Sequence, residues 1–451
     1  MSAGVTHTGM FSNRDRLATD ADRETALDCI EAAIEAGSPE AATRSAVELD
    51  GRTLAVEGST YDLDEFDDVV VVGAGKAAGG VARELESILG DAITDGVVVT
   101  KHPVETERVR AAVGDHPLPS ERGVAATADL VETVRAADER TLVLFVLTGG
   151  ASALLTAPGG SLTVEDLQET TEALLSSGVP IDGINAVRKH LSAVKGGRLA
   201  CEGAPATVCG LVLSDVVGND LSTIGSGPTV PDGTTFADAL GVLDRYDVSV
   251  PEAVHEHLRN GVGGETPGPS DPAFDRVTHH LIADNMTALE GAADAAERAG
   301  YEPLILTSRL RGEASEVGTT LVSMGAEAAA TGGPVEPPAV LLAGGECTVS
   351  IDEEGGDGGP NQELALSAAL EREEGVLAAV DTDGEDGSSA AAGAIVDGAT
   401  VDDGDRERAR EHLTGNDAGT YLSEVGATIE TGPTGTNVND VVAVVVGERS
   451  S

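Results

Sequence analysis

Apolar positions along this chain fall into two alternating patterns. Short unbroken apolar runs end in glycine-rich turns, and the turns open into segments whose apolar residues recur three and four positions apart. An unbroken run of five to seven such residues fits a strand buried on both faces, whereas three-and-four spacing marks one face of a helix. The run at 68–74 (DVVVVGA) leads into a helical pattern ending near residue 89, and the run at 141–147 (TLVLFVL) repeats the grammar through TGGASALL. Further strands are expected at 96–100 (GVVVT) and 206–213 (ATVCGLVL), and helices at 22–36, from Pro39, near 121–137 and at 162–178. Strands alternating with helices predict an α/β fold, with a doubly wound, largely parallel sheet.

The segment Ile181–Ala200 (IDGINAVRKHLSAVKGGRLA) reads as one long helix, with Asp182 as its cap and Gly196-Gly197 as its end or bend. On a helix, Asn185, Arg188, Ser192 and Lys195 share an arc of about 80°, beside an apolar stripe of Ile184, Val187, Leu191 and Val194. The chain has four lysines, Lys76, Lys101, Lys189 and Lys195, and two of them lie here beside Arg188. A chain so poor in lysine that keeps two together points to a need for positive charge at that place.

The Gly/Pro-dense stretch 261–275 lacks periodicity and reads as the domain boundary. It would separate a 21–265 domain from a 275–451 domain, after a loose polar leader at 1–20. Alternation then resumes: helices at 284–299 and 313–330, a strand hairpin in AVLLAGGECTVSI, a helix in NQELALSAALERE, a strand running into an acidic loop near 381, and a last buried strand after TGPTGTN.

Composition narrows the function. Aromatics are 2% of residues and tryptophan is absent, so alanine, valine, leucine and glycine must pack the cores. The formal charge of −50 repels nucleic acid and anionic membrane surfaces, which excludes both as partners. The acidic residues are spread through the apolar-periodic segments, as in adaptation to a high-salt cytoplasm; at molar salt the Debye length is about 3 Å and self-repulsion is screened. Four cysteines without paired spacing read as buried, reduced thiols. With no run of eighteen apolar residues, the expected location is cytoplasmic.

Candidate chemistry sits at the glycine turns that follow strands, where open α/β sheets present ligands. Gly73-Ala-Gly75-Lys76 approaches a dinucleotide fingerprint, but its third glycine, Gly79, comes one residue late, and no acidic residue for a ribose is clearly placed about 20 residues beyond. At a helix start, with a rare lysine, this turn suits a phosphate or carboxylate. Thr148-Gly149-Gly150-Ala151-Ser152 offers amides and a hydroxyl to phosphate oxygens; it departs from the nucleophile elbow GxSxG at Leu154. Acidic loops at Asp215 with Asp220, and at Asp381 and Asp383 with Asp386, provide the carboxylates that Mg²⁺ takes alongside phosphate oxygens. Gly344-Gly345-Glu346 and Thr434-Gly435-Thr436-Asn437 are further candidates for nucleotide contact.

These motifs together resemble the glycerate 2-kinases that carry a MOFRL C-terminal domain. VVGAGKAAGG, HPLPSERG, LTGGASALL, INAVRKHLSAVKGGRLA, LSDVVGNDLSTIGSGPTVPDGTTFADAL, GGPNQELALSAAL, DTDGEDGSSAAAGAIVDG and TGPTGTNVND occur in the family's order, over roughly residues 20–447. The resemblance implies a Rossmann-like N-terminal domain, a smaller α/β MOFRL-type C-terminal domain, and an active site in the cleft between them. It implies transfer of the ATP γ-phosphoryl group to the 2-hydroxyl of D-glycerate with Mg²⁺. Lys76 would meet the transferring phosphoryl group or the glycerate carboxylate, Arg188 would clamp that carboxylate, Lys195 would neutralise charge, and Asp215 would bind metal or polarise the hydroxyl. Gly149, Gly150, Ser152, Gly344, Gly345, Glu346, Asn361, Gln362, Thr434, Gly435 and Asn437 would serve the nucleotide, and Asp381 and Asp383 the metal. A homodimer is an open expectation. Two departures stand out: Pro360 occupies a place where the family commonly has a basic residue, leaving Arg309 or Arg311 to stand in, and Ser388-Ser389-Ala390 replaces a Pro-Thr-Asp. The alternatives are a reductase of hydroxypyruvate or tartronate using NAD(P)H and a non-catalytic sensor of an acidic metabolite.

Overall fold

All seven residues of the strand Thr141–Leu147 are buried, because a parallel sheet is covered by helices on both faces and tolerates no polar alternation. It pairs in parallel with Asp68–Ala74 on one side and Thr207–Leu213 on the other. Asp95–Thr100 and Arg110–Val113 continue the sheet beyond Asp68–Ala74, also in parallel, and Val277–Ala283 forms the opposite edge. The chain therefore lays down strands outward from Asp68–Ala74, then returns to its other side and starts again with Thr141–Leu147. At such a reversal the connections diverge and leave a crevice at the carboxyl ends of the strands. Both glycine turns, Gly73–Lys76 and Thr148–Ser152, lie at this point.

The computed structural model describes residues 9–351, 355–371 and 374–448. It divides into two compact units: Pro39–Ile282, and the described residues up to Ser38 together with those from Ala283 onward. The first unit also holds a small antiparallel sheet of Val47–Asp50, Thr53–Val56 and Ser59–Asp62. Its four-residue strands are too short for periodicity to announce them. A helical layer of Val164–Ser176, Ile181–His190, Phe236–Arg245 and Glu252–Asn260 closes over its own apolar cluster, which includes Leu174, Val187, Phe236 and Leu258.

In the second unit the strand Asp440–Val446 is central and fully buried. Ala339–Gly345 and Val376–Asp381 flank it, both antiparallel to it, and among the described residues only Glu302–Leu310 with Ala339–Gly345 forms a parallel pair. The sheet is thus mixed. Helices Ala21–Ala36 and Asn285–Ala299 pack on each other and on this sheet.

Four expectations about organisation change. The helix at 21–36 packs with the second unit, not with the domain that follows it in sequence, because its buried face (Leu27, Ile30, Ala33, Ile34) meets Asn285–Ala299 and the strand Asp440–Val446. The stretch 261–275 is not a linker: Arg198 donates to the carbonyls of Gly263 and Gly264, Thr266 donates to Asp232, and Asp232 N donates to Pro267. The boundary falls instead between Ile282 and Ala283. The leader at 1–20 is docked wherever it is described: Phe11 and Leu17 are buried and Ser12 N donates to the Glu430 carbonyl; residues 1–8 lie outside the described residues. The hairpin expected at 339–351 does not form either, since after Gly345 the Glu346 amide turns to the Leu310 carbonyl and the Cys347 amide to Asp440. The helix at 361–373 spans Pro360–Glu371, its last two expected residues lying outside the described ones. Cys29, Cys209 and Cys347 are buried as expected, whereas Cys201 is exposed. Among the described residues no helix is long and apolar enough to cross a membrane.

Candidate active site

The glycines of the first turn serve close approach of two chain segments. A Cβ on Gly75, whose φ is +140°, would stand 2.0 Å from Thr148 Oγ1 and 2.5 Å from the Thr148 carbonyl oxygen. With no side chain there, the two turns fit together: Gly75 N donates to Val99 O (3.0 Å), Lys76 N to Gly149 O (2.8 Å) and Ala78 N to Gly75 O (3.2 Å). Ala77 N donates to Thr148 Oγ1 (3.1 Å). The amides of Gly75, Lys76, Ala77 and Ala78 are therefore committed within the protein. Those four amides are not available to the pyrophosphate of a dinucleotide. What the turn contributes to chemistry is the Lys76 side chain.

The second turn makes room for side chains. A Cβ on Gly149 would lie 2.2 Å from Asp215 Oδ2; one on Gly150 would lie 3.0 Å from Lys76 Cγ and 3.1 Å from His116 Cδ2. Two adjacent glycines thus let a lysine, a histidine and a carboxylate gather on one turn. Beside them opens a cavity of about 260 Å³ lined by His116, Ser152, Arg188, Ser192 and Lys195, with Leu118, Leu167 and Leu191 among its apolar walls. Of the expected residues, the structure gathers Lys76, Gly149, Gly150, Ser152, Arg188, Lys195 and Asp215 in this region. His116 was not singled out from sequence, although it opens the quoted motif HPLPSERG; an isolated loop histidine carries no periodicity that would mark it.

The 181–200 segment converges on the cavity by a different route from the one expected. The helix ends at His190, and a second begins at Arg198 after Gly196 and Gly197, both at positive φ (57° and 82°). Asp182 does not cap it; Pro180 occupies the N-cap with no side-chain bond. In the break, Ala193 N donates to Ala157 O and Gly159 N to Leu191 O. Tertiary hydrogen bonds replace helical ones, so the helical arc dissolves while Arg188, Ser192 and Lys195 still face one space. Asn185 leaves the group and accepts from Ser226 Oγ at 3.0 Å. Lys189 belongs to the scaffold: it donates to Asp232 at 3.0 Å with both side chains buried. Burial alone would raise the Asp232 carboxyl, but hydrogen bonds from Thr234 and Lys189 hold it below the usual range. Among the described residues, no carboxylate is paired with Lys195 in this way. Burial, then the charge of Arg188, pushes its ammonium down to about 7, and its Nζ donates only weakly to Gly225 O, at 3.3 Å. A buried cation pair of this kind is stabilised by an anion brought from outside.

In the second unit, the ends of three neighbouring strands bring acids together. Asp440 is the register partner of both Gly345 and Asp381. The Asp381 carboxyl is pushed well up by burial and by Asp383 and Asp440, and burial, aided by Asp386 and Glu346, raises Asp440 to about 7. Asn361 and Gln362, expected at the nucleotide, donate within the protein: their backbone and side-chain amides go to Asp386, and Asn361 Nδ2 donates to Asp440 at 2.7 Å. Gly344 packs under Asn285, Thr434 Oγ1 donates to Thr382 O, and Asn437 Oδ1 accepts from Asn439 N. Gly345 abuts the Leu310 backbone, whereas Gly435 has open space around it. Burial raises the Glu346 carboxyl and the charge of Arg311 partly offsets this. Among the described residues, no three acids, histidines or cysteines are arranged as a metal cage. Mg²⁺ needs one or two carboxylates with phosphate oxygens and water, and the mutual repulsion of Asp381, Asp383 and Asp440 is what a divalent cation would relieve.

Comparison with known proteins accounts for both units. Residues 25–259 match a domain described as of unknown function (DUF4147), and residues 339–440 match the MOFRL family. The glycerate 2-kinase of Pyrococcus horikoshii is 41% identical over 440 residues, covering 95% of this chain and 98% of that protein. The chain belongs to the glycerate 2-kinase family. The crystal structure of a glycerate kinase from Thermotoga maritima has the same fold, with a TM-score of 0.82 at 37% identity, covering 94% of this chain and 99% of that one. A relative from Agrobacterium vitis, 42% identical over 388 residues (84% of this chain, 87% of that protein), carries a provisional hydroxypyruvate reductase name. The fold shared with that solved structure agrees with the α/β architecture described above, and membership makes the chain an ATP-dependent kinase.

Proposed function

We propose that this chain transfers the γ-phosphoryl group of ATP to the 2-hydroxyl of D-glycerate, with Mg²⁺, as a cytoplasmic enzyme adapted to high salt. The observation that carries this reading is the gathering of Lys76 and Asp215 on the Gly149-Gly150 turn beside a cavity holding Arg188 and Lys195. Phosphoryl transfer depends on positioning and on neutralising charge rather than on a special nucleophile. Arg188 can hold a carboxylate through two parallel hydrogen bonds, and Lys195 adds a second positive charge in the same space. Lys76, on a flexible stem, can follow phosphoryl oxygens. Asp381 and Asp383 would hold Mg²⁺, whose chemistry when bound is to offset the charge of the phosphate oxygens. Incubation with ATP and D-glycerate in molar KCl, with the isomer identified through enolase, tests the reading; formation of 3-phosphoglycerate or of no phosphorylated product rejects it. Excess EDTA should abolish turnover and Mg²⁺ should restore it; full turnover in EDTA removes the metal assignment.

Two solution properties follow. A carboxylate next to Lys195 favours its charged form, so glycerate binding at pH 8 should take up close to one proton, falling toward zero at pH 6. Calorimetry in two buffers of different ionisation enthalpy measures this, and an equal heat in both buffers at pH 8 contradicts it. Because a depressed lysine binds fewer protons folded than unfolded, its cost to stability is greatest below pH 7 and shrinks as pH rises from about 7 toward its ordinary value of 10.5. The net charge of −50 should make the fold salt-dependent: the melting temperature should rise between 0.1 M and 3 M KCl as self-repulsion is screened. An unchanged value would rule out electrostatic adaptation.

A further inference from the structure

Phosphorylating an alcohol forms an O–P bond and breaks the bridge between the β- and γ-phosphates, whose electron pair leaves with ADP. The hydroxyl proton must pass to a base. Three groups near the Gly149-Gly150 turn and its cavity could accept it. Lys195 is the least suited, because it must be charged when a carboxylate is bound, and it sits buried beside Arg188. Asp215 lies against Gly149 but is not among the cavity's lining residues. His116 both lines the cavity, with Arg188, Ser192 and Lys195, and packs its ring edge on Gly150 next to the Lys76 stem. The residue is half-buried.

We propose that His116 is a catalytic residue: its imidazole touches the attacking hydroxyl, takes the proton as the O–P bond forms, and returns it to water. The proposal rests on the kinase reading above. The groups facing the imidazole are Lys76 from the first turn, Arg188 and Lys195 across the cavity, Asp215 beyond Gly149, and Asp115 on its own loop, itself paired with Arg122. The neutral form of an imidazole is the one that accepts a proton.

His116→Gln keeps a hydrogen-bonding group near the position of Nε2 but cannot take up a proton. It is expected to lower kcat by about 10²–10⁴-fold, to change the glycerate Kd by calorimetry less than about threefold, and to remove the acidic limb of the kcat pH profile, whereas Asp215→Asn keeps that limb. If His116→Gln fails to fold, His116→Ala with added imidazole substitutes for it, and imidazole is expected to recover at least tenfold of the lost rate. A His116→Gln enzyme with kcat near wild type, an acidic limb that persists in it, a loss confined to Kd, or an Ala variant that imidazole does not rescue overturns the proposal. Wild-type protein without glycerate phosphorylation overturns the kinase reading and this proposal with it, so the two failures are distinguishable.

Discussion

Lys76→Met is expected to lower turnover by about 10²–10³-fold while the protein stays folded in high salt. Lys76 follows a buried strand and stands where Gly150 leaves space for its stem, 3.0 Å from where a Cβ would be. The backbone amides of Gly75, Lys76 and Ala77 are already committed to Val99, Gly149 and Thr148, so these three cannot substitute for the lost ammonium. Methionine keeps most of the stem's bulk, which leaves the packing against Gly150 in place. A charge that contacts oxygens in the transition state within a water-excluded site contributes about 3–4 kcal/mol, whereas a lysine that only offsets surface acids contributes about 0–1 kcal/mol. Those magnitudes separate the two roles. Steady-state kinetics in molar KCl decide between them: a folded Lys76→Met enzyme within about tenfold of wild type, roughly 1.4 kcal/mol, places the charge centre on Arg188 and Lys195 alone.

Gly75→Ala is expected to damage both stability and activity. The added methyl would meet the Thr148 backbone at 2.5 Å (O) and 2.7 Å (C), and backbone cannot rotate away as a side chain can. The φ of +140° adds strain of about 1–3 kcal/mol for a residue with a Cβ, and overpacking adds about 1–3 kcal/mol more. Relief requires the two turns to separate, which pulls Lys76 away from Gly149 and Gly150. A loss of about 4 kcal/mol lowers the melting temperature by roughly 8 °C or more in a unit of this size, with turnover falling alongside. A Gly75→Ala protein that melts within about 2 °C of wild type and keeps its activity would show that the turns are not locked together.

Local patterns reached far into this protein. The strands at 68–74 and 141–147 were legible because a strand covered on both faces has no polar alternation to hide it, and the glycine turns were legible because few other residues fit there. The α/β class, the two-unit count and the family followed from those signals and from motifs in order. Lys76, Asp215, Arg188 and Lys195 were also named from the chain alone, on charge scarcity and position after strands. Other features were decided by partners distant in sequence. The break after His190 came from hydrogen bonds to Ala157 and Gly159, and the pairing of Lys189 with Asp232 set it apart from the neighbouring Lys195. Asn361 and Gln362 looked available until Asp386 and Asp440 claimed their amides. His116 gained its place only because Gly150 lacks a side chain. Periodicity reports which face of an element is apolar; it does not report what arrives to cover that face. For this chain, that arrival decided which polar groups were spent on the fold and which remained for chemistry.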